Sequence, residues 1–204
     1  MSRGFLRLSL LVAVIAASAV GASTARAGNL LGSITTAVIG GNCGSTSPVF
    51  AQFGDQRQYY FTSDGGFEAG GAGWTFTGGA KVVSGNESFN LHSSSDHSSL
   101  LIPNGGTATS PALCFGLLYP GIRMMASGSG TLHVQVVSHG LLGALSVLDG
   151  GTIAVNGGWA PTQDFSTLLS QLNIPVGTKS IQIVLSATGT VQVDDVYIDP
   201  FLSR

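Results

Sequence analysis

Two segments of this sequence alternate strictly between apolar and polar residues, a pattern typical of strands that bury one face. In residues 131–137, Leu132, Val134 and Val136 fall on one side, and in residues 180–186 apolar residues again occupy every second position. A two-residue period with one polar side indicates antiparallel sheets. Further short β-prone runs, separated by glycine-rich turns, follow from residue 57 onward. The pattern predicts an all-β fold in which two antiparallel sheets pack as a β-sandwich.

The segment that precedes these runs has a different character. Residues 28–56 are rich in Gly, Asn, Ser and Thr, which favour turns, and show little periodicity. We therefore expect an irregular N-terminal arm over residues 28–56 and a single β-sandwich domain over residues 57–204. Only residues 164–172 have a pattern that allows a helical turn or two.

Residues 1–27 have the three parts of a secretory signal peptide. Arg3 and Arg7 give a positive start, an apolar run follows over residues 8–22, and Ala-Arg-Ala ends the segment at Ala27. The run is short and alanine-rich for a membrane span. A retained amphipathic anchor is the alternative. The preferred interpretation is cleavage after Ala27 and a secreted, extracellular protein with no membrane span after cleavage.

Charge excludes some classes of partner. The chain has 8 basic and 10 acidic residues, with a net charge of −2, and three of the basic residues lie within the predicted signal peptide. A chain this poor in Lys and Arg lacks the basic surface that nucleic acid or anionic lipid requires. We therefore expect no nucleic-acid partner.

Cys43 and Cys114 are the only cysteines. Because export places the chain in an oxidising environment, a Cys43–Cys114 disulfide is expected, and it would attach the arm to the domain. Two buried, unpaired thiols are the alternative.

Asp194 and Asp195 interrupt an otherwise apolar segment near the end of the chain. By strict alternation, Asp195 shares a face with Val193 and Tyr197, and Asp194 shares the other with Val196. One carboxylate therefore falls on the buried face, where it needs a cation or several hydrogen-bond donors. With few basic residues available, a hard cation such as Ca²⁺ is one solution. The other is an exposed strand end with solvated carboxylates, or carboxylates that cap backbone amides.

Residues 64–68, Asp-Gly-Gly-Phe-Glu, together with residues 193–196, Val-Asp-Asp-Val, resemble the opening and closing motifs of galactose-binding-like jelly-roll modules. In such carbohydrate-binding modules an Asn-Gly-Gly-Phe-Glu turn and an Asp on the last strand commonly share a structural calcium. The resemblance implies a jelly-roll fold and a structural Ca²⁺ held by Glu68 with Asp194 or Asp195. Asp64 replaces the usual Asn.

The chain also resembles uncharacterised exported proteins of high-GC Gram-positive bacteria. The similarity lies in an early Cys, Phe-Gly-Asp at residues 53–55, the glycine turn, Ser-Pro-Ala-Leu-Cys at residues 110–114 and the closing Val-Asp-Asp-Val. This resemblance implies export and no particular activity.

Sugar binding requires exposed aromatic rings and polar groups that fix hydroxyls. Tyr59, Tyr60, Tyr119 and Trp159 are the aromatic candidates, and we select Trp159 and Tyr119, whereas Trp74 after the glycine turn is expected in the core. The jelly-roll resemblance implies a polysaccharide or cell-wall glycan as partner. The alternative is a structural or surface-interaction protein with no sugar site.

Catalytic motifs are scarce in this sequence. No Gly-x-Ser-x-Gly elbow, P-loop or Cys-x-x-Cys is present. His92, Asp96 and His97 contain zinc-ligand residue types, but their spacing fits no recognised pattern, and a solvated loop is the favoured interpretation. We expect a non-catalytic protein.

Overall fold

A computed structural model describes residues 43–114, 121–140, 145–165 and 178–200. This part of the chain contains eight strands and one short 3-10 helix, Ala51–Phe53, with no α-helix. The all-β prediction is therefore confirmed. The strands are β1 (Tyr60–Phe61), β2 (Thr75–Thr77), β3 (Lys81–Ser84), β4 (Ser98–Ile102), β5 (Thr107–Thr109), β6 (Gly121–Gly140), β7 (Leu145–Pro161) and β8 (Thr178–Asp199).

All eight strands belong to one antiparallel sheet that curls around the core, so the two predicted sheets are continuous. Strand β8 lies at the centre of the sheet. Strand β6 pairs with one edge of β8, and β5, β4 and β1 pair in succession with its other edge. Strands β2, β3 and β7 extend the sheet beyond β5, β4 and β6. Strand β8 therefore pairs directly with four of the other seven described strands.

Glycines allow the two longest strands, β6 and β8, to approach closely. A Cβ on Gly130 would lie 2.1 Å from the carbonyl oxygen of Thr188, and one on Gly128 would lie 2.3 Å from that of Thr190. Both glycines have positive φ, of 158° and 130°. Residues with side chains are excluded at these two positions by contact with backbone atoms.

The main core lies inside the curled sheet. Its composition confirms the predicted alternation of buried apolar residues with polar residues along β6 and β8. Leu132, Val134 and Val136 of β6 are fully buried, as are the apolar residues at alternate positions of β8. Met124 belongs to this core, whereas the adjacent Met125 belongs to a second cluster with Phe50, Tyr59 and Tyr197. Because neighbouring side chains on a strand point to opposite faces, this end of the sheet is covered on both sides.

The second cluster is covered by the described part of the arm. Ser47 exchanges two backbone hydrogen bonds with Tyr59, of 2.9 and 3.0 Å, and Phe50 is fully buried. Cys43 is disulfide-bonded to Cys114, with a Cα–Cα distance of 5.4 Å. The predicted signal peptide lies outside the described residues, as does the arm before Cys43. Within the described ranges, no helix is long and apolar enough to cross a membrane.

Candidate functional site

The glycine turn and the closing aspartate motif meet in the structure. The N–H of Val196 donates to the carbonyl oxygen of Gly65 over 3.0 Å, and the N–H of Thr62 donates to the carbonyl oxygen of Val196 over 3.1 Å. The Thr62 hydroxyl donates to the same carbonyl oxygen over 2.9 Å. Two motifs at opposite ends of the domain therefore form one structural unit.

Asp64 has a local role in this unit. Its carboxylate accepts hydrogen bonds from the N–H groups of Ala69, at 2.9 Å, and Ala72, at 2.6 Å. Its φ of 47° is left-handed, a conformation that Asp and Asn adopt more readily than most residues. Asp64 thus holds its own turn closed.

A β-bulge places both carboxylates of the closing motif inside the protein. Met125 of β6 pairs with Asp194, but Arg123, two residues earlier, pairs with Tyr197, so β8 contains one extra residue here. Asp195 lies at this bulge with a φ of 51°. The prediction of strict alternation is wrong at this point, because β8 contains this extra residue. Asp194 and Asp195 are both buried, with 1% and 2% exposure.

Glu87 is a third buried acid, which sequence reasoning did not identify. Its N–H donates to Asp194 over 3.1 Å, and its own carboxylate accepts hydrogen bonds from the N–H groups of Leu91, at 2.8 Å, and Phe89. Asp194 also accepts a 2.8 Å bond from the N–H of Asp195. These backbone donors satisfy Glu87 and Asp194, but no donor within the described structure reaches Oδ1 of Asp195.

The burial of these acids changes their ionisation. Burial raises the pKa of Asp194 to about 7, against partial compensation by its backbone donors. Burial raises the pKa of Asp195 to about 8, with further contributions from the neighbouring charges of Asp194, Glu87 and Asp96 and from a side-chain hydrogen bond with Glu87. Perturbed carboxyls of this kind indicate a candidate site for a cation or a proton.

His92 and Asp96 complete a group of potential metal ligands with Asp195. One ligand atom from each residue lies within 4.8 Å of the other two. His92 Nδ1 is 2.8 Å from Asp96 Oδ2, and the His92 ring stacks on Phe61 at 4.0 Å between centroids. The sequence predicts a solvated loop here. The His97 side chain is 78% exposed, as expected, whereas the Asp96 side chain is only 10% exposed. No local spacing could have revealed this group, because the β8 bulge supplies its third member.

Glu68, the predicted partner of Asp194 or Asp195 in a calcium site, is not part of this group. Its carboxylate accepts hydrogen bonds from the N–H groups of His97, at 2.7 Å, and Ser98, at 2.6 Å. His97 Nδ1 lies 2.8 Å from the same carboxylate. Glu68 thus anchors the start of β4, and calcium binding stays a prediction.

The outward face at the far end of the sheet is polar, and we call it the polar face. Cross-strand register aligns its side chains in rows over β2, β5, β8, β6 and β7. One row consists of Thr77, Thr107, Ser186, His133 and Thr152, and the next of Thr75, Thr109, Val184, Gln135 and Asp149. No Phe, Tyr or Trp belongs to these two rows.

Hydrogen bonds fix several side chains of the polar face. His133 Nε2 lies 2.8 Å from Asp149 Oδ1, and His139 Nε2 lies 2.6 Å from Gln182 Oε1. The Gln182 amide donates to the carbonyl oxygen of Ser110 over 2.8 Å. A hydrogen bond from the Gly151 N–H and the contact with His133 lower the pKa of Asp149, with the His133 bond as the larger cause.

The aromatic candidates for sugar stacking lie elsewhere. Tyr59 and Tyr60 are buried, and so is Trp74, as predicted. Trp159 is half-buried and packs against the second cluster, and Tyr119 lies outside the described residues. A cavity of about 410 Å³ lies beside the edge strand β7, but Trp159 does not line it. The cavity is lined in part by the polar residues Thr152, Asn156, Thr162 and Gln163.

No protein-family model and no curated protein sequence matches the chain. Its fold is similar to the enzymatically active domain of tailspike protein 4 of bacteriophage CBA120, with a TM-score of 0.51 and 15% identity over 67% of this chain. The match covers 21% of that chain, so the present chain spans about a fifth of the tailspike domain.

Carbohydrate-binding modules are also among the structural neighbours. TmCBM61, solved in complex with β-1,4-galactotriose, gives a TM-score of 0.47 and 20% identity over 68% of this chain and 96% of that chain. The C-terminal family 22 carbohydrate-binding module of Clostridium thermocellum Xyn10B gives a TM-score of 0.46 and 16% identity over 71% of this chain and 94% of that chain.

The antiparallel, curled sheet is the predicted jelly-roll β-sandwich. The resemblance to exported proteins of high-GC Gram-positive bacteria stays a prediction.

Proposed function

We propose that the chain is an exported, non-catalytic β-sandwich protein that binds carbohydrate on its polar face. The observation that carries this proposal is the set of hydroxyl, amide, imidazole and carboxylate groups aligned over five paired strands. Sugars offer many hydroxyl groups, each of which donates and accepts hydrogen bonds, so a recognition surface needs mixed polar groups at fixed positions. A paired sheet holds such groups rigidly.

The two histidine pairs give the polar face its specificity. His133 with Asp149 and His139 with Gln182 present paired donors and acceptors. Because each imidazole already has one partner, its remaining ring nitrogen has a fixed orientation. Two such groups, on β6 and six positions apart, suit an extended glycan that lies along the strand better than a single sugar.

The non-catalytic part of the proposal rests on the same contacts. Ser186 lies opposite His133, and Asp149 bonds to His133, so the residue types of a Ser-His-Asp triad are neighbours here. No hydrogen bond joins the Ser186 hydroxyl to the His133 ring within the described structure, and that contact is the one a nucleophile requires.

A structural or surface-interaction protein is the second candidate function. Val137 lies opposite Val147, and His139 lies opposite Leu145. Apolar side chains therefore lie next to the polar face, where β6 ends and β7 begins. Leu145 and Val147 are 65% and 59% exposed. Exposed aliphatic side chains beside polar rows without aromatic rings suit contact with a protein surface as well as with a glycan.

A glycan array on the folded protein separates these candidates, followed by calorimetry with β-1,4-galactotriose and xylan oligosaccharides. We expect binding that H133A or D149A weakens about tenfold, since loss of one well-placed hydrogen bond costs about 1.4 kcal/mol. H97A is the matched control, because His97 is an exposed histidine off the polar face. If the folded protein binds no glycan on the array, the result would favour the surface-interaction candidate.

Export is tested by expressing the full chain in a bacterium with a general secretion pathway. We expect the protein in the culture medium with Gly28 as its first residue, as determined by mass spectrometry. Retention of residues 1–27 on a membrane-associated protein would favour the anchor alternative.

A further inference from the structure

We propose that His92, Asp96 and Asp195 form a binding site for one divalent transition-metal ion of the Zn²⁺ type, in place of the expected Ca²⁺. The observations that carry this proposal are the proximity of three ligand atoms and the unpartnered Oδ1 of Asp195, which is almost fully buried. A polar atom without a partner inside a protein is unfavourable, so its presence on a side chain that lies beside two further ligand residues indicates a missing cation.

The local charge supports a cation. Asp195 lies with Glu87, Asp194 and Asp96 in one acidic environment, and His92 is the basic residue of the group. The two arginines of the described body are committed elsewhere, because Arg57 and Arg123 both contact Asp55. A bound divalent ion would neutralise part of this buried negative charge.

The donor set does not fit calcium. Ca²⁺ takes six to eight oxygen ligands, whereas this group offers an imidazole nitrogen and two carboxylates. Glu68 lies outside this group, and each oxygen of Asp194 accepts one backbone hydrogen bond. One imidazole with two carboxylates suits Zn²⁺ and similar ions, with a water molecule as the fourth ligand.

The geometry around the group supports binding with a small adjustment. Stacking on Phe61 holds the His92 ring in place, and Gly66 has no side chain to fill the space beside Asp195 Oδ1, since its Cβ would lie 3.5 Å away. Two ligands of one tetrahedral Zn²⁺ lie about 3.3 Å apart. The 2.8 Å separation of His92 Nδ1 and Asp96 Oδ2 would therefore widen slightly as the ion enters.

The ion would have a structural role. His92 and Asp96 belong to the connection between β3 and β4, and Asp195 belongs to the last strand. One ion would therefore link this connection to the strand that pairs with most of the sheet. The site is separate from the polar face, so its failure would leave the proposed carbohydrate binding unaffected.

The first experiment titrates chelator-treated protein with ZnCl₂ and, separately, with CaCl₂ by calorimetry and by thermal melting. We expect one Zn²⁺ per chain and a rise of several degrees in melting temperature, because an ion that binds only the folded state stabilises it. We expect no shift with CaCl₂. Failure of the wild-type protein to bind Zn²⁺, or tighter binding of Ca²⁺, would overturn the proposal.

The second experiment identifies the ligands. D195N preserves the size of the side chain and removes its charge, so we expect a folded protein that no longer binds Zn²⁺; H92A and D96N should weaken binding at least tenfold. H133A and D149N are the matched controls, since His133 and Asp149 form an equally close His–Asp pair without a buried third acid. Co²⁺ absorption would report the His92 nitrogen directly, and an unchanged spectrum in H92A would contradict the assignment.

Discussion

The N–H of Val196 donates a 3.0 Å hydrogen bond to the carbonyl oxygen of Gly65, and this bond joins the first turn of the domain to its last strand. The contact requires glycine on the turn side. A Cβ on Gly65 would lie 2.5 Å from Thr62 Oγ1 and 2.7 Å from the carbonyl oxygen of Val196. The turn and the strand cannot keep their hydrogen bonds with a side chain between them.

G65A should therefore destabilise the protein by about 1–3 kcal/mol, the usual cost of overpacking at a tight contact. Urea unfolding measures this change. G158A is the matched control, because nothing lies within 4 Å of its Cβ position, and it should stay within about 0.5 kcal/mol of wild type. Equal effects of the two substitutions would show that the contact at Gly65 carries no weight.

Sequence patterns predicted the regular parts of this fold well. The alternation at Leu132, Val134 and Val136 identified a strand and its buried face, since that pattern depends only on backbone geometry. The bulge at Asp195 could not be predicted, because it depends on pairing with β6 across a long sequence separation. That single extra residue interrupts the alternation at Asp194 and Asp195, and both acids are buried because the second cluster covers the other face of the sheet.

The metal-free protein should lose stability as the pH rises from about 4 to about 8. The raised pKa values of Asp194 and Asp195 mean that the folded state binds protons that the unfolded state releases in this range. The charges that face these groups are Glu87, Asp96 and His92. Each carboxyl protonated only in the folded state contributes a slope of about 1.4 kcal/mol per pH unit.

Thermal melting in chelator at pH 5 and pH 8 measures this effect, with the lower melting temperature expected at pH 8. D195N should reduce the difference, because an amide does not titrate in this range. K81A, which changes an exposed lysine that does not titrate in this range, should leave it unchanged. A melting temperature that rises from pH 5 to pH 8 would contradict the assignment of these pKa directions.

The Cys43–Cys114 disulfide should contribute about 4 kcal/mol, because it closes a loop with a sequence separation of 71. Unfolding of a C43S/C114S variant in urea, compared with oxidised wild type, measures this contribution. Reduced wild type serves as a second reference, since it keeps both side chains. An unchanged unfolding midpoint would show that the arm stays attached through Phe50 and its neighbours alone.

The arm itself marks a limit of sequence interpretation. Its turn-forming composition predicted irregular structure, and the described part has only a 3-10 helix, Ala51–Phe53, and a bridge at Ser47. Composition gave no sign that Phe50 would be fully buried against Tyr197. The burial of Phe50 depends on the arm being the segment that covers this face of the sheet, and a local sequence pattern does not contain that information.

Arg123 links the arm to the sheet and should be among the most sensitive positions in the protein. Its guanidinium contacts the Asp55 carboxylate, its Nε donates to the carbonyl oxygen of Thr162 over 2.9 Å, and it lies 4.8 Å from the centre of the Phe50 ring. Burial raises the pKa of Asp55, but hydrogen bonds from Arg57 and Tyr59 lower it further, so the net pKa is well below its usual value.

R123A should cost about 3 kcal/mol in unfolding free energy, because it leaves a largely buried carboxylate with one fewer cationic partner. R123K should lie between R123A and wild type, since Lys keeps the charge but loses the planar contact with Phe50. K81A, at an exposed lysine of β3, is the control and should change stability by less than about 0.5 kcal/mol. If R123A unfolds at the same urea concentration as K81A, the arm is held by apolar burial rather than by this ion pair.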